Sequence, residues 1–188
     1  MKIVCLGDSV TAGIGVPRGQ NWVSLLDAQT HHDWINAGVV GDTMAGMLTR
    51  LNVAILPQKP QMVFLLGGWN DLLICGNFDS AKTCLMAMVH HCVYAGVSPV
   101  VGIPYAISSV PEKWKPVCSA QLPDFTEYIA WLRQMSKAFH LRTVDVAAAF
   151  DGQDGLLSDG IHPNVRGHRV IAEAVKKSDL FGENRRHI

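Results

Sequence analysis

Short apolar runs of strand length alternate with helix-period patterns from end to end of this chain, and that rhythm restricts it to a small group of folds. The runs at Lys2–Leu6, Asp33–Asn36, Met62–Leu66, Pro99–Ile103 and Arg142–Val144 read as strands. Between the first two, Trp22, Leu25 and Leu26 fall on one side of a helix within Gly19–Gln29. A second helix opens after Asp42, a candidate cap, and carries Met44, Met47, Leu48, Leu51 and Ile55 at helical spacing until Pro57 stops it. A third follows Asp79 and runs through Leu85, Met88, Val89 and Val93 to Gly96, a helix-ending residue. The fourth covers Pro123–Phe139, and the last begins at Pro163, a residue suited to a first helical turn, and reaches Lys177. Strands joined through helices pair in parallel by right-handed crossovers, so helices cover both faces of the sheet. The expected class is α/β, a three-layer α/β/α sandwich on a central five-stranded parallel sheet.

At 188 residues the chain falls within the usual size of one domain, and residues 1–188 are read as a single unit. Two stretches break the rhythm. Tyr105–Leu122, with Pro111 and Pro116, reads as a long loop carrying a short helix, and Phe181–Ile188 as a solvated tail that includes Arg185, Arg186 and His187. Lys plus Arg and Asp plus Glu are balanced at 16 each, which gives no global field for nucleic acid or an anionic membrane. A small or neutral partner is expected. The N-terminus enters a strand directly without a signal-peptide pattern, and no run reaches the roughly 20 apolar residues of a membrane span. Five cysteines in no pairing pattern read as reduced thiols, so the expected location is cytoplasmic. The oligomeric state is not legible in the sequence.

Three short stretches carry the chemistry. Gly7-Asp8-Ser9 follows the first strand, at the carboxyl edge of the expected sheet, where open α/β sheets bind ligands. Gly68-Trp69-Asn70-Asp71 follows the third strand on the same edge, and its asparagine amide can donate to an oxyanion. Asp159-Gly160-Ile161-His162-Pro163 precedes the last helix, and a turn at Gly160 would let Asp159 reach back to the His162 imidazole. A fourth stretch, Asn36-Ala37-Gly38-Val39-Val40-Gly41-Asp42, offers backbone N–H groups at a helix start, Gly41 foremost. Its spacing lacks Gly-x-Gly-x-x-Gly, which excludes a nicotinamide site. Each stretch has a plain reading as a turn or cap; their joint occurrence on one edge favours a serine nucleophile with its base, its acid and an oxyanion site.

On these residues, from Gly7-Asp8-Ser9-Val10-Thr11-Ala12-Gly13 to Asp159-Gly160-Ile161-His162-Pro163, the chain resembles the SGNH hydrolase superfamily, also called GDSL esterases and lipases. The resemblance implies a flavodoxin-like fold and Ser9 as nucleophile, with His162 as general base and Asp159 as its partner. It also implies an oxyanion hole from the Ser9 N–H, the Gly41 N–H and the Asn70 side chain, and neither cofactor nor metal. Val10 departs mildly from the leucine of the name-giving motif. Trp69 is bulky for its position and is expected to narrow the acyl pocket; Asp8, Trp69 and Ile161 are the candidate substrate contacts. The implied activity is hydrolysis of carboxylic, short-chain acyl esters through an acyl-enzyme on Ser9. An acyltransferase or carbohydrate O-acetylesterase on the same site, and a non-catalytic carbohydrate- or lipid-binding module, are the alternatives.

The remaining polar and sulfur-bearing residues are given structural readings. His90-His91 with Cys84 and Cys92 lacks the spacing of a zinc site, because helical neighbours point apart. His31-His32 reads as a polar connection, His168 as a surface residue, and Met44, Met47, Met86 and Met88 as core filler. Asp154 is a weaker candidate than Asp159 for the acid. Ile107, Val110 and Trp114 either line a substrate site or anchor the long loop.

Overall fold

The computed structural model describes residues 1–107, 110, 112–118 and 125–181. Five parallel strands, β1 (Lys2–Gly7), β2 (Asp33–Gly38), β3 (Met62–Leu66), β4 (Ser98–Ile103) and β5 (Arg142–Asp145), lie in the order β2-β1-β3-β4-β5. Seven helices accompany them among the described residues: α1 (Ser9–Ala12), α2 (Trp22–Gln29), α3 (Met44–Arg50), α4 (Asp79–Tyr94), α5 (Phe125–Ala138), α6 (Val146–Phe150) and α7 (Val165–Lys177). Helices α3, α4 and α5 cover one face of the sheet, and α2 and α7 pack together on the other. This is the three-layer α/β/α sandwich expected from the alternation.

The strand order explains where a site can form. The chain steps from β1 outward to β2, then returns past β1 to β3, so the crossovers diverge between β1 and β3 and open a crevice at their carboxyl ends. β3 is buried along its whole length and β1 nearly so, as continuous apolar runs require at the centre of a sheet covered on both sides. Beneath them the core closes around Leu6, Trp22, Leu26, Met47, Leu51 and Leu65, with the Trp22 and Phe64 rings 5.2 Å apart. Met44, Met47 and Met88 are buried in it.

Several local expectations are corrected. Asp42 does not cap α3: Thr43 does, accepting from the Gly46 N–H at 3.3 Å, while Asp42 turns to Arg50. Pro57 does not end the helical path, which continues from α3 through a π turn (Leu51–Ile55) into a 3₁₀ turn (Leu56–Gln58); near the start of that turn its missing N–H leaves no bond unmade. Pro163 lies outside α7, bridged to Leu157, and Asn164 is the cap, accepting from the N–H groups of Arg166 (2.9 Å) and Gly167 (3.1 Å). The Tyr105–Leu122 loop contains a 3₁₀ turn at Glu112–Val117; its positions 108, 109, 111 and 119–122, the helix start expected at Pro123 and the tail from 182 to 188 lie outside the described residues.

His168, expected at the surface, is fully buried on α7. Its Nδ1 accepts from the Trp22 N–H at 3.3 Å, so the imidazole caps the start of α2 and ties it to α7. Its Nε2 is buried with no hydrogen-bond partner among the described residues. Burial, with a small contribution from the charge of His162, holds the imidazole neutral and takes its pKa from 6.5 down to about 4. A depressed histidine pKa leaves stability intact above the unfolded value and removes it as pH falls through 6.5 toward 4. Relative to His168→Gln, the wild type should lose up to about 3 kcal/mol of unfolding free energy across that window, since each pKa unit is worth about 1.4 kcal/mol. Urea unfolding of both proteins at pH 4 to 8 reads this directly, and parallel curves would overturn it.

Candidate active site

The groups singled out in sequence converge where β1 and β3 part. Ser9 opens α1 immediately after β1. Asp8 caps that helix, its Oδ1 accepting from the Val10 N–H at 2.9 Å, which leaves the Ser9 N–H in the first helical turn, where helices lack internal acceptors. The Ser9 Oγ stands 3.0 Å from His162 Nε2, and His162 Nδ1 stands 2.9 Å from Asp159 Oδ2. The hydroxyl therefore meets the imidazole on one ring nitrogen and the carboxylate meets it on the other. Asp154, the weaker candidate, is exposed and takes no part.

The turn that makes this possible is local. Gly160 sits at φ +84°, in the left-handed region that favours glycine, and the chain folds back so that Asp159 Oδ1 accepts from the N–H groups of Ile161 (3.1 Å) and His162 (2.8 Å). The Ser158 N–H donates to the His162 carbonyl at 2.8 Å, and the buried Tyr105 hydroxyl donates to the Ile161 carbonyl at 2.6 Å. Partial burial by itself would raise the Asp159 pKa. Hydrogen bonds from the His162 backbone and ring, the Ile161 N–H and Lys113 outweigh it and hold the carboxyl well below the usual range. Asp159 is thus a fixed anion against the imidazole at every physiological pH.

Two further donors come from the loops that follow β2 and β3 at the same sheet edge. Gly41, at φ +77°, leaves its N–H without an acceptor among the described residues. The Asn70 amide nitrogen donates to the Asp42 carbonyl at 2.8 Å, which uses one of its two hydrogens and orients the other. Arg50, which sequence reasoning did not single out, holds this region together. Its guanidinium reaches Asp42 Oδ2 (2.6 and 3.0 Å), the Ala37 carbonyl (3.0 Å) and the Gly7 carbonyl (3.3 Å). Asp71 fixes the start of α3 by accepting from the Met44 N–H at 3.0 Å. Neither link follows a local spacing rule, so no sequence signal announces it.

The three candidate substrate contacts are all buried, Asp8 at 1%, Trp69 at 2% and Ile161 at 5% exposure. Trp69 packs inward, its Nε1 donating to the Tyr105 carbonyl at 2.9 Å and its ring 4.7 Å from that of Tyr105. Burial pushes the Asp8 carboxyl up to about 7, opposed by the Val10 N–H and reinforced by the charges of Asp42 and Asp71; its Oδ2 has no partner among the described residues. Ile107 is buried, and Trp114 stands edge-on to His162 with ring centroids 5.9 Å apart. Among the described residues no group of three or more His, Cys, Asp or Glu side chains could hold a metal ion.

Comparison with known proteins places this geometry in a family. Esterase TesA of Pseudomonas aeruginosa is 38% identical over 74 residues, 37% of each chain. An arylesterase of Vibrio mimicus is 37% identical over 75 residues, 37% of this chain and 38% of its own. The chain therefore matches little more than a third of the length of these curated relatives. A lipase/acylhydrolase from Enterococcus faecalis has the same fold, with a TM-score of 0.75 at 26% identity over 93% of each chain. The family model described as GDSL-like Lipase/Acylhydrolase matches residues 5–170, a span that contains Ser9, Gly41, Asn70, Asp159 and His162. Because that match takes in both ends of the serine–histidine–aspartate constellation and most of the sequence between and around them, the chain belongs to the GDSL-like lipase/acylhydrolase family.

Proposed function

We propose that this protein is a serine esterase that hydrolyses small carboxylic esters of short acyl chains through an acyl-enzyme on Ser9. The observation that carries the reading is the continuous relay Ser9 Oγ–His162 Nε2 at 3.0 Å and His162 Nδ1–Asp159 Oδ2 at 2.9 Å, on a loop held by backbone hydrogen bonds. His162 takes the Ser9 proton as Oγ attacks the acyl carbon, and Asp159 stabilises the imidazolium that forms. The oxyanion lies against the Ser9 N–H, the Gly41 N–H and the free hydrogen of the Asn70 amide. The imidazolium then protonates the leaving alcohol, and a water activated by the same nitrogen releases the acyl group.

Family membership supports ester chemistry, and two relatives are named as esterases. A short acyl group fits a site in which Ser9 and His162 are only 7% and 6% exposed and Trp114 stands edge-on beside the imidazole. No helix among the described residues is long and apolar enough to cross a membrane. The unpaired state of all five cysteines supports a reducing, cytoplasmic setting, and the balanced charge supports a small-molecule partner over a nucleic acid.

Ser9→Ala should abolish hydrolysis across a panel of p-nitrophenyl esters graded by acyl length, with a short-chain optimum in the wild type and a nearly unchanged thermal transition in the variant. A fluorophosphonate probe should label the wild type at Ser9 and leave the variant unlabelled; full activity or labelling in Ser9→Ala would refute the mechanism. Asn70→Ala removes one oxyanion donor and should lower kcat about 10²–10³-fold with little change in KM. A loss confined to KM would remove Asn70 from the oxyanion hole.

A further inference from the structure

Asp159 Oδ2 accepts from two cationic or potentially cationic partners. One is His162 Nδ1 at 2.9 Å; the other is the ammonium of Lys113, at 3.1 Å, from the 3₁₀ turn Glu112–Val117. The neighbouring Trp114 ring meets the imidazole at 5.9 Å and 62°, and the Lys113 ammonium lies 5.4 Å from that indole. Lys115, the other lysine of the turn, is paired with Glu112, which leaves Lys113 as the cation directed to Asp159. A turn from a loop outside all the recognised motifs therefore touches both the acid and the base.

This contact has an electrostatic consequence. A carboxylate favours imidazolium over imidazole, and a fixed positive charge on the same oxygen opposes that preference. Among the described residues the other titratable groups around the pair do not supply such a charge. Tyr105, from the end of β4, is a neutral phenol donating to the Ile161 carbonyl; its pKa is raised far above the ordinary value by burial and by the charges of Asp8 and Asp159. His168, from α7, is kept neutral by burial. Asp8, ahead of α1, is a buried carboxyl whose own ionisation is resisted.

Resting on the triad reading above, we propose that Lys113 is a positioning and tuning residue of the active site, which divides the Asp159 charge with His162 so that the imidazole stays neutral and able to accept the Ser9 proton at lower pH. Trp114 seats the turn against the ring, so the tuning charge and the indole beside the imidazole belong to one element. Lys113 is 58% exposed at its side chain and Asp159 17%, so the effect is moderated by solvent and sensitive to salt.

The test is the acid limb of the kcat/KM profile. At low ionic strength Lys113→Met and Lys113→Gln should move its midpoint up by about half a pH unit, a threefold change in the protonation equilibrium. Lys113→Arg, which keeps the charge, should restore the wild-type midpoint, and the wild type and Lys113→Met should converge in 0.5 M salt as screening removes the Lys113 field. An unmoved midpoint in Lys113→Met, or a loss of activity equal at every pH, would overturn the proposal, since a purely structural role predicts those outcomes. Following the His162 ring signals by NMR in Ser9→Ala, with and without Lys113→Met, reads the same displacement without turnover. If those signals move while Ser9→Ala still hydrolyses esters, the tuning stands and the esterase mechanism falls; if they do not move, the tuning falls whatever the activity.

Discussion

The guanidinium of Arg50 is the interaction on which the crevice depends. From α3 it reaches the last carbonyl region of β1 at Gly7, that of β2 at Ala37, and the carboxylate of Asp42 between them. Those contacts fix three separate pieces of chain relative to one another. Gly7 leads directly into Asp8 and Ser9, Ala37 begins the loop that presents Gly41, and the Asp42 carbonyl receives the Asn70 amide. A guanidinium suits the task because its donors form a planar fork with no acceptor to satisfy, and because it stays charged. The proposed oxyanion donors come from three separate segments, and one side chain ties together the chain beside each of them. Preorganised donors of this kind stabilise developing charge because nothing has to reorient when it appears.

The second half of the site is held differently. Residues 155–164 have little regular structure and are stabilised by hydrogen bonds within the loop itself and to Tyr105. Asn164 caps α7 while its own N–H donates to the Leu156 carbonyl, so the helix and the turn that carries His162 are anchored at one residue. Through His168, α7 is also tied to the start of α2. His162 is thereby mounted on the α2/α7 face of the sheet and the loop bearing Gly41 and Asp42 on the α3 face, with Ser9 between them at the strand end.

Three carboxyl groups, Asp8, Asp42 and Asp71, lie close enough to influence one another on the α3 side, and the structure treats each differently. Asp42 has the Arg50 cation. Asp71 has the Met44 N–H, and burial still raises its pKa. Asp8 has a single backbone donor for one oxygen and none for the other, and is driven up to about 7. The distribution follows from placement: only Asp42 lies within reach of a cation, and the two carboxyls pressed deeper must tolerate poorer solvation of their charged forms. Asp159, on the opposite side, is the best satisfied acid among the described residues, with four donors on its two oxygens.

What the sequence determined by itself was the architecture and the residues proposed to react. Strand-length apolar runs separated by helical patterns leave a covered parallel sheet as the way to bury both, and residues that follow strands in such a sheet share its carboxyl edge; Ser9 and Asn70 were placed by that rule alone. The Asp159–His162 contact was also legible, because its geometry is a local turn around one glycine. Links between distant segments were not. Arg50 to Asp42 and Gly7, Lys113 to Asp159, and His168 to Trp22 obey no periodicity, since each joins side chains that become neighbours only when separate elements pack. For the same reason the position of His168, six residues beyond His162 and on a different side of the expected helix, suggested the surface, whereas packing of α7 on α2 buried it. Local chemistry and periodicity are written along the chain; which charge faces which, and which polar group goes without water, is decided only once the layers close.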